Sequence, residues 1–188
     1  MSSFRPHRPA SAVALAALAT AALVMPVAGA NQVPQTINAG TRTASIADLS
    51  LSAVNYSHSA QSNTGTMVLT ADDSSGTGAG WNVTVQSSAF VYSGANGGTN
   101  IPAANFSITS AAAPTRTAGQ SVDVVGGPNA PALGSTGSLE VARKTVSALV
   151  GFGQGTYSQN LDVSLSIPAL SRVGTYTGTM TVTISAGP

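Results

Sequence analysis

Apolar and polar residues alternate along most of the chain after residue 45, which is the pattern of half-buried β-strands. In the middle of the chain, Trp81, Val83 and Val85 alternate with Asn82 and Thr84. The same period of two predicts strands over 46–56, 65–71, 81–92, 105–109, 121–125, 157–167 and 175–185. Segment 138–150 fits neither the strand nor the helix period cleanly, and its Ser, Thr and Val content favours a strand.

Glycine-rich loops separate these segments. The loop before Trp81, 76–80, reads GTGAG and predicts a turn that leads into a strand, with glycine where the backbone needs positive φ or close approach. Segments 157–167 and 175–185 are joined by a short loop and predict a hairpin. The expected fold is all-β with little helix: an antiparallel β-sandwich or partly open barrel of about seven to nine strands.

The first 30 residues have the three parts of a secretory signal. Arg5 and Arg8 precede an uncharged Ala/Leu/Val run at 12–24, and Ala28-Gly29-Ala30 forms a small-x-small cleavage pattern. The apolar run is short for a membrane span, so we expect no span after cleavage. The predicted organisation is a signal peptide (1–30), an N-terminal arm (31–44) and one β-domain (45–188), secreted to the cell surface.

Few charges and no cysteine limit the possible partners of the exported part. From residue 31 onward there are five Arg or Lys and six Asp or Glu, a net charge of −1. Five scattered cations assemble no basic face, which argues against nucleic acid. Because few like charges keep neighbours apart, the surface is suited to close packing against a wall polymer or against copies of itself.

The residues that carry enzyme chemistry are sparse. His58 is the single histidine after residue 30 and has no nucleophile elbow beside it, and the six carboxylates fall in predicted turns or on polar strand faces. We therefore expect no enzyme and no cofactor. Asp72 and Asp73, with the hydroxyls that follow them, could hold a calcium ion, but turn formation explains the same residues.

Trp81 is the only tryptophan in the chain. It is either a core residue at the start of a central strand or an aromatic platform for a sugar or another polymer unit. The two interpretations predict different results for Trp81→Ala, loss of stability or loss of binding.

The pattern Asp-x-x-Gly-Thr-Gly-Ala-Gly-Trp, which ends at Trp81, is followed by alternating Thr and Val, a glycine-rich loop and Ile101-Pro102-Ala103. Together with the C-terminal IPALSRVGTYTGTMTVTISAGP, it resembles the WxL domain of Gram-positive surface proteins over about 45–188. The resemblance implies export and non-covalent association with the cell wall, with peptidoglycan as the ligand.

The same resemblance places the two Trp-x-Leu motifs of the family at Trp81–Val83 and Val182–Ile184. Valine replaces leucine in the first, and valine and isoleucine replace tryptophan and leucine in the second. The implied binding residues are Trp81, Val83, Val182 and Ile184, and the implied partners are a cell-wall polymer or other surface proteins. A structural role remains the alternative, in which the domain self-associates by β-strand exchange into a filament or surface layer.

Overall fold

A computed structural model describes residues 34–188, and the predicted signal peptide (1–30) lies outside this part of the chain. The all-β prediction is confirmed. Within the described part, no helix is long and apolar enough to cross a membrane. The regular elements are one 3₁₀ turn (Ala103–Asn105) and eleven strands: β1 (Arg42–Ile46), β2 (Gln61–Asp73), β3 (Trp81–Ser87), β4 (Val91–Ser93), β5 (Phe106–Ala111), β6 (Thr115–Gly119), β7 (Gly137–Ser138), β8 (Arg143–Ala148), β9 (Gly155–Ile167), β10 (Thr175–Thr177) and β11 (Met180–Ala186).

The larger layer is an antiparallel sheet built around β2 and β9, which have 13 residues each and pair over their full length. Its strand order is β1-β2-β9-β5-β7. On the far side of β9, β5 pairs with the second half of the strand and β6 with the first half. Strand β9 is therefore paired along both edges and is the centre of this sheet.

The smaller layer is a three-stranded antiparallel sheet in the order β11-β3-β8. Strand β3 lies at its centre and is buried at every second position, as the alternation from Trp81 predicts. A separate two-stranded ribbon pairs β4 with β10. Three of the eleven strands, β4, β7 and β10, have three residues or fewer, which is too short for an alternating pattern to show.

The core lies between the two layers, so the fold is a β-sandwich. Leu69, Tyr157 and Leu161 of the larger sheet and Trp81, Val83 and Val146 of the smaller sheet are at most 2% exposed. The rings of Trp81 and Tyr157 pack across the interface with their centroids 6.1 Å apart. Sixteen apolar residues form this single buried cluster, and their burial is the main favourable term in folding.

The preference for a strand over a helix within 138–150 is confirmed by β8. Three other predictions about the strands are wrong. The two C-terminal strands form no hairpin, because β9 pairs with β2 and β5 in one layer whereas β11 pairs with β3 in the other. Both strands have one apolar face, and the chain buries them in opposite layers. Segment 46–56 is not a strand, since the first strand ends at Ile46. Segment 121–125 forms a turn closed by the Asp123–Gly127 bridge.

Candidate functional site

The two motif positions lie side by side in the smaller sheet. Strand β11 pairs antiparallel with β3 and sets Ile184 opposite Val83 and Val182 opposite Val85. Residues directly opposite each other in an antiparallel pair point to the same face. Trp81, Val83, Val182 and Ile184 therefore all face the interior of the sandwich. Their juxtaposition follows from alternation and register together, and only the alternation is readable from the sequence.

Trp81 is a core residue in this structure. Its side chain is 0% exposed, and its indole N–H donates a hydrogen bond to the carbonyl oxygen of Gly153 at 2.8 Å. Val83 is equally buried, whereas Val182 and Ile184, on the edge strand, are half-buried. None of the four residues offers a wide exposed face to a ligand, and a direct binding role for them stays a prediction.

The glycine-rich loop before Trp81 is built as its sequence predicts. Gly76, Gly78 and Gly80 all have positive φ, between 62° and 70°. A Cβ on Gly80 would lie 2.6 Å from the carbonyl oxygen of Ala148, so this position also requires close backbone approach. The Gly78 carbonyl accepts a hydrogen bond from the Gly151 N–H at 2.8 Å. The loop thus fastens the start of β3 to the turn that receives the indole N–H.

Both carboxylate oxygens of Asp72 and the Oδ1 atom of Asp73 bond within the protein. Asp72 accepts hydrogen bonds from the hydroxyls of Ser74 and Thr156 at 2.6 Å each. The Oδ1 atom of Asp73 accepts from the backbone N–H of Ser75 and lies 3.1 Å from the Nε atom of Arg42. These contacts close the turn after β2 and attach β1 to it. Within residues 34–188, no three His, Cys, Asp or Glu side chains are grouped as a metal site.

Two ionisable groups near the Trp81 end of the sandwich have shifted pKa values. Burial raises the pKa of Tyr157 above 10.0, Arg116 opposes this shift, and Asp73 adds to it. The backbone N–H groups of Gly126 and Val125 donate to the carboxylate of Asp123 and lower its pKa below 3.8. Both side chains form hydrogen bonds that connect parts of the fold. The Tyr157 hydroxyl donates a hydrogen bond of 2.7 Å to the Gln120 carbonyl oxygen.

The opposite end of the sandwich carries an open groove. It encloses about 630 Å³ and lies between residues 49–57 and residues 168–178, with Gln61, Asn63, Leu165 and Ile167 on its floor. The groove exists because β2 and β9 are 13 residues long while β3 and β11 have seven. Burial along β2 changes accordingly: Met67, Leu69 and Ala71 are buried under the smaller sheet, whereas the inward positions 61, 63 and 65 are only half-buried.

The groove combines aromatic rings with polar side chains and has a single charged residue, Arg172. Tyr56 is 50% exposed at the rim and packs edge-on against His58, with centroids 5.4 Å apart. Tyr176 packs against Tyr92 and donates its hydroxyl to the Arg172 carbonyl at 2.9 Å. A volume of this size and a mixed lining are typical of ligand sites.

The sequence carries no motif that predicts this groove. Tyr56 falls within the segment predicted as the first strand, and Arg172 in the predicted C-terminal turn, 116 positions further along the chain. No local motif joins them, because the site results from the unequal strand lengths of the two layers. The partial signal was the strand-like alternation of 46–56, of which only Ile46 belongs to a strand, and residues 47–56 have no strand partner among the described residues.

Comparison with known protein families gives one match, which covers residues 30–188 and therefore includes the whole sandwich. The matching family is described as the WxL domain, a surface domain that binds the cell wall. Searches among curated proteins and among solved structures found no match. The match covers far more than half of the chain, so the chain belongs to the WxL family.

Proposed function

We propose that this protein is an exported, non-catalytic domain that associates non-covalently with a peptidoglycan-type wall polymer. Membership of a family of wall-binding surface domains supports the cell wall as the binding partner. The observation that carries the proposal for this chain is the open groove beside Tyr56 and Arg172, which encloses about 630 Å³. Export rests on the predicted signal peptide at 1–30.

Non-covalent binding fits the side chains that line the groove. Hydroxyls, amides and aromatic rings bind by hydrogen bonds and apolar contact, and none of them is paired with a base for nucleophilic attack. His58 packs against Tyr56, and its neighbours are serines on both sides without a carboxylate partner among the ion pairs of the described residues. The direct binding role predicted for Trp81, Val83, Val182 and Ile184 stays a prediction, and in this proposal the four residues hold β3 and β11 together.

Sedimentation with purified cell walls tests the proposal. The purified protein is mixed with Gram-positive walls, pelleted and quantified, and Tyr56→Ala is run beside the parent chain. We expect the parent protein to pellet and the variant, with one rim aromatic removed, to pellet less. Val124→Ala is the matched control, because Val124 is 91% exposed and lies in the loop after β6, outside the groove. Failure of the parent protein to pellet would contradict wall association.

A second candidate is assembly of copies by strand exchange into a filament or layer. It is favoured by the segment directly before β1, whose residues 37–40 are all exposed and include Ile37 at 91%. Strand β1 is also the edge of the larger sheet. Size-exclusion chromatography separates the two candidates, since assembly predicts SDS-resistant ladders without walls, whereas wall binding needs only a monomer.

A further inference from the structure

Segment 49–56 forms one wall of the groove. It has the alternating sequence of a strand, but no strand forms backbone hydrogen bonds with it. Its backbone N–H and C=O groups form no backbone hydrogen bonds to the rest of residues 34–188. The Ser52 carbonyl accepts from the Asn63 side chain, and the segment is otherwise held by Leu49 and Leu51, which pack 3.0–3.1 Å from the position that a Cβ on Gly65 would occupy. Side chains thus fix the segment, and apart from the Ser52 carbonyl its peptide groups have no hydrogen-bond partner among residues 34–188.

The opposite wall offers a second unpaired edge. Strand β10 pairs with β4 on one side, and within the described sandwich no strand covers its other side. Gly174 and Gly178 flank β10, and a Cβ on either would press on an aromatic ring, Tyr92 or Phe90. Glycine at these positions leaves room for the rings beside β10. The groove is therefore bordered on one side by segment 49–56, which lacks backbone partners, and on the other by the edge strand β10.

Arg172 determines the charge that the groove accepts. It is the one charged residue of the lining, it is exposed, and no carboxylate of residues 34–188 lies within ion-pair distance of it. A single guanidinium binds one carboxylate well, in a bidentate geometry. A polymer with a phosphate at every repeat would require a row of cations instead.

We propose that the groove binds an extended peptide with a free carboxylate, which pairs with the backbone of 49–56 as an added strand and places its carboxylate on Arg172. The amides of a short peptide supply donors and acceptors to an unpaired backbone segment, as in other cases of strand addition. Glycan rings have no such ladder of donors and acceptors. This inference rests on the proposed function and assigns recognition to the peptide part of the wall polymer rather than to its glycan part.

The test uses an amidase to separate walls into soluble peptides and soluble glycan strands, and adds each as a competitor to a mixture of the protein and intact walls. We expect the peptides to reduce the amount of protein that pellets with intact walls, and the glycan strands to leave it unchanged. Absence of competition by the peptides would overturn the inference and leave wall association standing. No pelleting with intact walls would instead contradict the proposed function.

Arg172→Gln and amide hydrogen exchange locate the site. The substitution should weaken competition by the released peptides about tenfold, whereas Arg116→Gln, which removes an exposed cation on β6 and outside the groove, should leave it unchanged. Exchange at alternate amides of 49–56 should slow when the peptides are added. Binding with unaltered exchange in this segment, or with equal affinity in the Arg172 variant, would place the peptide elsewhere and refute strand addition.

Discussion

Trp81 contributes to this protein through its burial. Trp81→Ala removes a wholly buried indole and its hydrogen bond to Gly153, so we expect a loss of about 3–5 kcal/mol in the free energy of unfolding. Trp81→Phe keeps much of the apolar volume and should cost less. Denaturant unfolding followed by circular dichroism measures both variants.

The same tryptophan variants separate the two interpretations of Trp81. Val124→Ala, at a position that is 91% exposed, is the control and should change stability by no more than about 0.5 kcal/mol. If Trp81→Phe folds as stably as the parent but no longer pellets with walls, the indole contacts the ligand and a purely structural role is wrong. Retained pelleting supports the core role that its burial indicates.

Tyr157 makes the stability of the sandwich sensitive to high pH. Burial raises its pKa, so the folded state holds the phenol proton more tightly than the unfolded state does. The stabilisation is complete below the unfolded pKa of about 10 and is lost as the pH rises through the folded value. Thermal unfolding measured from pH 8 to 11 should show a fall in Tm that is smaller for Tyr157→Phe. Parallel curves for the two proteins would contradict this assignment.

At the scale of elements, the turn between β8 and β9 is shaped to receive the indole of Trp81. Gly153 has φ of 76°, and a Cβ there would lie 2.5 Å from the Ala148 Cβ and 2.7 Å from the Trp81 Nε1. Gly151 has φ of 85° and no atom within 4 Å of such a Cβ. The two glycines therefore share the backbone requirement and differ in packing.

Replacing each of these glycines with alanine isolates the packing contribution. Gly151→Ala should cost about 1 kcal/mol from positive φ alone. Gly153→Ala should cost about 1–3 kcal/mol more, because the added methyl displaces the indole or Ala148. Equal free energies of unfolding for the two variants would show that the turn moves without disturbing Trp81.

The alternation of apolar and polar residues predicted where the strands lie better than it predicted which strands pair. The inward face of β3, the strand at 157–167 and the glycine turn before Trp81 were readable, because period and turn chemistry are local. The pairing of β9 and β11 was not readable, since any two amphipathic strands joined by a short loop resemble a hairpin. Segment 46–56 shows the same limit, because its alternation is satisfied by packing Leu49 and Leu51 against Gly65 rather than by a strand ladder.

On the scale of the whole molecule, sites at the two ends of the sandwich have different origins. The Trp81 end is closed by glycine turns and buried aromatic rings; the glycine loop 76–80 and Trp81 form one continuous stretch of sequence, and Gly153 and Tyr157 come from a distant one. The groove at the other end arises from residues far apart in the chain, where the long β2 and β9 extend beyond the short sheet. A sequence motif therefore identifies the buried Trp81 end of the sandwich, whereas no motif identifies the groove at the opposite end.

The charge distribution of the molecule predicts how salt affects wall binding. The groove has one charged side chain, exposed to solvent, so electrostatics contributes about one weak ion pair. Raising NaCl from about 50 to 500 mM shortens the screening length severalfold, and we expect the amount of protein pelleted with walls to fall by no more than about threefold. Arg172→Gln should remove even this dependence. A loss of about a hundredfold would mean that several cations contact a polyanion, which would place the binding surface outside the groove.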